Sequence, residues 1–456
     1  MTSDRDATQR PLARIIATEH ARRAPSPAIT CIIGDDLVVL PNVLGTYCVH
    51  ELNSRVDDLV ILAGVVAFAD RAVARTPASA WPRALHLTLP VHDPPFWERT
   101  DIVAALTQTL DALTGDTWDF AFKPRTKQTQ VNPQTTLALS GQPCTVIPFS
   151  DGLDSLAVAR LTQHHNPDTT LLLVTTGTHR CVTSDIRDRR VAIPFKIPSK
   201  RVRFPETSYR SRAFVFGIMA GIAAHLVGAH NIVVPESGQS SLGPWLLPVG
   251  NEAPDIRTHP LFTAQLANFL SAVLDTTIGF DHPQLWKTKG ETLRELQELG
   301  FHDEWWMTRS CPRRRHVSLD GNSVQCGVCA ACLLRRQSLH AAGLDESKDR
   351  YFWADLGAPT LAQAATHNAR PTGPNDTRHA WCGTLELANL AAYDCNDNYR
   401  FSRATAELAD ALGTSNATAC HNLTRLLGAH AAEWEAFVSS LPGASFLVQW
   451  LHSRQC

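Results

Sequence analysis

Thr145-Val146-Ile147-Pro148-Phe149-Ser150-Asp151-Gly152-Leu153-Asp154-Ser155-Leu156-Ala157-Val158-Ala159-Arg160 is the stretch on which the fold turns. The apolar run 146–149 suits a buried strand. Ser150, Asp151 and Gly152 then punctuate the chain as a tight polar loop. From Leu153 onward the apolar residues Leu156, Ala157 and Leu161 recur at helical spacing. A small-residue loop that feeds a helix presents free backbone N–H groups and the positive end of a helix dipole. That arrangement suits a phosphate. The plainer reading is a strand–loop–helix turn closed by a Ser or Asp cap.

Downstream, the chain repeats the alternation of strand and helix. Residues 170–174 and 191–197 read as strands, 211–227 as a long helix and 231–234 as another strand. Continuous apolar strands separated by helices predict a parallel sheet covered on both faces. Ligands of such sheets sit at the carboxyl ends of the strands. The 150–155 loop, residues 175–178 and the 235–238 turn with Glu236 would then face one pocket. The core region is expected over 143–344.

On either side lie two further regions. Residues 1–142 read as a small α/β module. Strand-like pieces flank the turn at 34–36, apolar helices cover 57–75 and 100–113, and strands cover 85–91 and 118–122. Trp81, Trp97 and Trp118 read as packing residues, and the module as one that docks a partner or shapes the substrate. Residues 123–143 read as a polar linker. Residues 345–456 read as helical, with apolar stripes at 385–392, 404–412, 420–429 and 433–438, forming a cap over the sheet or a homodimer surface.

The 456-residue chain has 44% hydrophobic residues and a net charge of −2, which fits a large core and gives no global attraction for nucleic acid. Its longest apolar run, 60–69, is too short to span a bilayer. Residues 1–10 show no apolar leader segment, so the expected setting is cytoplasmic. Of twelve cysteines, Cys311, Cys326, Cys329 and Cys332 cluster. Four thiolates suit tetrahedral zinc with all positions filled by protein, a structural site. An iron–sulfur cluster is the rival reading, and redox use of Cys329 with Cys332 a weaker one. Arg313, Arg314, Arg315, Arg335 and Arg336 are expected to offset the thiolate charge.

The loop order Ser-x-Gly-Leu-Asp-Ser resembles the PP-loop of ATP pyrophosphatases, which split ATP into AMP and pyrophosphate. With the cysteine cluster it resembles QueC-type 7-cyano-7-deazaguanine synthases over residues 145–343. Tyr209-Arg210-Ser211-Arg212-Ala213-Phe214, Pro254-Asp255-Ile256-Arg257 and Trp286-Lys287-Thr288-Lys289-Gly290-Glu291 carry further matches. Two positions depart from the pattern. Asp151 stands where the family has glycine, so it either alters activity or helps to hold magnesium. Ala213 replaces an asparagine. The longer layout resembles the QueC-like proteins of Qat-type anti-phage operons.

The resemblance implies a HUP-like nucleotide-hydrolase core and C–N ligase activity. ATP would activate the carboxylate of 7-carboxy-7-deazaguanine as an adenylate, which ammonia or an amine on a partner protein from a defence operon would then intercept. Ser150, Asp151, Gly152, Leu153, Asp154 and Ser155 would bind ATP with Mg²⁺. Arg212, Lys289 and Asp154 would be catalytic, Asp255, Arg257 and Glu236 would meet the deazaguanine, and Cys311, Cys326, Cys329 and Cys332 would hold Zn²⁺. A catalytically inactive nucleotide-binding subunit of a defence complex and a tRNA-modifying PP-loop enzyme are the alternatives.

Overall fold

The structure, a computed structural model, describes residues 12–20, 25–40, 43, 53–75, 81–126, 143–150, 152–175, 189–198, 202–247, 252–301, 305–312, 324–366, 371–396 and 399–453. Asp151, residues 176–178, Arg313, Arg314, Arg315 and most of the expected linker lie outside these residues.

The first region contains β1 (Leu12–Thr18), β2 (Ile29–Ile32), β3 (Val38–Val39), α1 (Ser54–Ala72), β4 (Ala84–Val91), α2 (Pro94–Trp97), α3 (Thr100–Thr114) and β5 (Thr117–Pro124). β1 was not evident from the sequence. A four-stranded parallel sheet runs in the order β2-β1-β4-β5. Asn53 caps α1 by accepting from Val56 N. Residues 56–70 of α1 are buried all round, as a helix must be when it lies between two layers.

The second region contains β6 (Cys144–Pro148), α4 (Leu153–His165), β7 (Thr170–Thr175), β8 (Arg189–Ala192), β9 (Phe195–Lys196), α5 (Arg212–Val227), β10 (Asn231–Val233), α6 (Gly238–Leu246), α7 (Pro260–Leu274), β11 (Gly279–Asp281), α8 (Lys289–Glu298) and α9 (Ala330–Ala341). Its five-stranded sheet has the order β8-β7-β6-β10-β11 and is parallel throughout. Strand order therefore reverses between β6 and β10, whose Val146 and Ile232 sit side by side. The expected strand over 191–197 divides. Pro194 has no N–H for a ladder, and β9 leaves the sheet to pair antiparallel with β3. The apolar stretches of α6, α7 and β11 were not evident from the sequence.

Helices α1 and α3 of the first region pack against α5 and α7 of the second, and one hydrophobic core runs through both. The layers are thus sheet, helix pair, helix pair, sheet. Trp97 and Trp118 are buried in this core, the packing role expected of them. The remaining helices are α10 (Pro374–Ala391), α11 (Tyr399–Leu412), α12 (Asn416–Ser439) and α13 (Phe446–His452). The stripes at 420–429 and 433–438 both lie on the single helix α12. It packs against α6, α9, α10 and α11. Among the described residues no helix is long and apolar enough to cross a membrane.

Candidate functional site

The reversal of strand order between β6 and β10 opens a crevice at the carboxyl ends of those strands. A cavity of ≈ 1600 Å³ lies there, reached by the loops after both strands, the starts of α5, α6 and α8, the cysteine loop and one face of α10.

At its floor is the loop between β6 and α4. Ser150 Oγ and Ser155 Oγ lie 2.9 Å apart, Ser150 N donates to Ser155 Oγ at 3.3 Å, and Gly152 N donates to Ser150 Oγ at 3.3 Å. Gly152 is the N-cap of α4, so the loop points the positive end of a 13-residue helix at the cavity. Leu153 was expected to bind nucleotide. Its side chain instead packs in an apolar cluster with Leu156, Ala157 and Trp305, which leaves only its backbone for a ligand. Asp151 lies outside the described residues.

Asp154 Oδ2 meets Lys289 Nζ at 2.7 Å. Its carboxylate also shares a hydrogen bond with the carboxyl of Glu236. Burial first, and then the negative charge of Asp154, push Glu236 up to about 8, with Lys289 pulling the other way. Glu236 lies in the loop after β10, as expected, and therefore carries a proton at neutral pH. The single charge of Asp154 thus sits between the Lys289 ammonium and the protonated Glu236 carboxyl.

Lys289 is held from behind. It opens α8 after Thr288, which forms a capping box with Glu291. Lys289 N donates to Gln239 Oε1 at 2.8 Å. Gln239 Nε2 in turn lies 2.9 Å from His430 Nδ1 on α12, with Gln337 Nε2 at 3.2 Å from the same nitrogen. His430 Nε2 is 3.1 Å from Leu387 O. Two amide donors on Nδ1 and a carbonyl opposite Nε2 fix His430 as the neutral tautomer with its proton on Nε2. Glu433, also on α12, accepts a short hydrogen bond from Thr288 Oγ1, and burial pushes it up to about 7. Sequence reading assigned no polar role to the third region. His430 falls between the stripes at 420–429 and 433–438 and Glu433 opens the second, so neither stood out from an ordinary polar helix position.

Arg212 opens α5 and lines the cavity beside Ala213. The residue before it, Ser211, donates its N–H to the buried Asp70 of α1 at 2.9 Å. Asp70 and Asp116 share Arg83, each at 2.6 Å. Arg210 donates to Pro254 O at 3.3 Å and lies over the ring of Trp81 at 5.1 Å. The first region thus braces both Arg212 and the segment that carries Asp255 and Arg257.

Asp255 and Arg257 face the cavity and pair with each other, with Nη2 to Oδ2 at 2.5 Å and Nε to Oδ2 at 2.8 Å. Burial would raise Asp255, but the charge and hydrogen bonds of Arg257 outweigh it and hold the carboxyl below its usual range.

The four cysteines converge beside the cavity, with Cys311 and Cys329 in its wall. All are buried, and their sulfurs lie within 4.8 Å of one another, with Cys326 and Cys332 Sγ at 3.8 Å. A tetrahedron built on about 2.3 Å Zn–S bonds has edges of about 3.8 Å, so the donor set fits one ion. Cys326 N and Cys329 N point at Cys311 Sγ and Cys326 Sγ, both at 3.4 Å. Gly327 takes φ +90°, and a Cβ there would lie 2.4 Å from Trp353 O, so the knuckle requires glycine. Hydrogen bonding from the neighbouring thiols, and then burial, push Cys332 far up. A bound cation would displace that proton. Arg335 was expected to balance the thiolates. It instead binds Glu346 at 2.7 Å and Thr308 Oγ1 at 2.7 Å. Arg336 lies 3.9 Å over Tyr351, near Cys332.

The structure adds residues to the cavity that the sequence did not suggest. Trp306, Arg309 and Arg350 come from segments near the cysteines, and His379 and Glu386 from α10. Glu386 lies within the 385–392 stripe, and a polar residue interrupting such a stripe was the available signal. No protein-family model matches the chain, and a search of curated proteins finds no match.

Proposed function

We propose that the chain is an ATP-dependent ligase that activates a 7-carboxy-7-deazaguanine-like carboxylate by adenylation and passes it to ammonia or an amine, in the manner of QueC-type PP-loop enzymes. One observation carries the reading. At the crevice where strand order reverses, the Ser150–Ser155 loop, the Lys289–Asp154 pair and the Asp255–Arg257 pair open into a single cavity.

The loop amides and the α4 dipole would hold pyrophosphate oxygens. Lys289 and Arg212 would offset the charge that develops as a substrate carboxylate oxygen attacks the α-phosphorus and pyrophosphate leaves. Asp255 would accept from the amino and ring N–H groups of a guanine-like edge. Magnesium on the pyrophosphate oxygens would supply charge neutralisation. Zinc on the four cysteines would fix the wall of the base pocket without entering the chemistry.

The test is pyrophosphate release from ATP with and without 7-carboxy-7-deazaguanine. Release that depends on the deazaguanine supports the reading. Its absence across a range of magnesium concentrations would leave a nucleotide-binding subunit.

A further inference from the structure

Helix α12 holds the start of α8 at three points along its length. Arg425 Nη1 meets Glu291 Oε1 at 2.7 Å, and its Nη2 meets Glu291 Oε2 at 2.9 Å. Glu433 accepts from Thr288 Oγ1 and lies against Gly290, where a Cβ would be 2.5 Å from Glu433 Oε1. Between these two, His430 reaches α8 through Gln239.

The hydrogen bonds through His430 run in one direction. Leu387 O can only accept, so the neutral ring donates to it from Nε2 and keeps Nδ1 as an acceptor. Nδ1 then receives Gln239 Nε2. The Gln239 side chain also shares a hydrogen bond with Glu433. With its nitrogen so committed, Gln239 turns its oxygen to Lys289 N, which can only donate. A carbonyl at one end and an N–H at the other thus fix the sense of every link between them. Burial holds His430 below its usual range, so the ring stays neutral. Gln239, Lys289 and His430 are all buried, and a broken link leaves its partner unpaired.

Lys289 is the first residue of α8, and its N–H is one of the donors that a helix start leaves without a partner inside the helix. The Gln239 oxygen supplies that partner and sets the point from which the Lys289 side chain reaches Asp154. We infer that His430 is a positioning residue for Lys289: by orienting the Gln239 amide it fixes the first turn of α8, so the third region sets the placement of the ammonium that faces the phosphates. The inference rests on the adenylation reading above. His430 lies behind the cavity, outside its lining, so it acts on the reaction only through where Lys289 Nζ sits. A charge displaced in this way is missed most in the transition state, which lowers kcat more than it raises KM.

The test compares the full-length chain with Gln239→Leu, His430→Leu, their double variant and His430→Asn, which keeps an acceptor for Gln239. Carboxylate-dependent ATP–pyrophosphate exchange is measured with 7-carboxy-7-deazaguanine, at a temperature where circular dichroism shows each chain folded. Each single Leu variant should lower kcat about tenfold with the KM for ATP within twofold of the parent's, and His430→Asn should lie nearer the parent. The double variant should be no slower than Gln239→Leu alone. Losses that multiply in the double variant overturn the relay, as does a His430→Leu kcat within twofold of the parent's. A raised KM for ATP at unchanged kcat overturns it equally. Nitrogen NMR of the histidine-labelled parent reads the direction of the relay without any activity and without a Leu variant that folds. The His430 ring, assigned by its absence from His430→Asn, should carry its proton on Nε2 at neutral pH, and a proton on Nδ1 overturns the relay. No exchange in the parent chain sinks the adenylation reading itself, and the role of His430 in it.

Discussion

Lys289 Nζ lies 2.7 Å from Asp154 Oδ2, joining the first residue of α8 to the first turn of α4 across the cavity floor. Both side chains are largely shielded from solvent, so the pair belongs to the class in which removing one partner strands the other. Lys289→Met is expected to destabilise the fold by about 3 kcal/mol. It should slow carboxylate-dependent pyrophosphate release by about 100-fold or more. The charge-balanced double variant Lys289→Met with Asp154→Asn should regain most of the stability and none of the rate. Denaturant melts and a pyrophosphate assay on the three proteins check this, and a double variant as unstable as the single one would refute it.

Glu236 gives the site an alkaline limit. Its proton, retained up to about pH 8 by burial and the Asp154 charge, keeps the loop from accumulating negative charge. As pH rises through about 8 the proton leaves, and repulsion of the phosphates grows. The rate should therefore fall on the alkaline side, and Glu236→Gln should flatten that limb. Rate profiles between pH 6 and 10 provide the measurement.

Glu433 couples stability to pH with a definite sign. Burial raises its carboxyl from 4.5 to about 7, so between those values the folded chain holds a proton that the unfolded chain has released. Its contribution is therefore fully present below about pH 4.5 and is lost as pH rises through about 7. The shift corresponds to roughly 3 kcal/mol at most. Glu433→Gln should abolish this part of the pH dependence, as thermal melts at pH 5 and pH 8 would reveal.

The cysteine cluster should carry one ion per chain. Stripping it with a chelator, or replacing Cys329 by Ser, is expected to lower stability steeply, since structural zinc supplies about 10–16 kcal/mol of apparent folding free energy in small domains. Metal analysis with circular dichroism before and after chelation reads this out independently of any activity. Retention of the full melt by the metal-free chain would exclude a structural role.

The parts of this fold written locally in the chain were the parts that could be read. The strand–loop–helix at 145–160 and the C-x-x-C pair are contiguous, so residue type and spacing sufficed. β11, three residues long, escaped notice because so short a strand declares itself only through its neighbour, Asn231–Val233. The grip on Lys289 was invisible for a related reason. Gln239 lies far in sequence from His430 and Glu433, which are one turn apart on α12, and each alone looks like a polar residue on a helix. Arg335 misled because adjacency to Cys332 in the chain implied adjacency to the sulfurs, whereas the turn of α9 delivers its guanidinium to Glu346.

The complete burial of α1 has a consequence for how the chain can be taken apart. A helix with no solvent face cannot end a free-standing fragment, because either piece made by cutting in the 127–142 segment would bare an oily surface. Neither half should persist as a monomer on its own, whereas the two expressed together should find each other and melt in one step. What looked like an appended module is in this sense the other half of the interior.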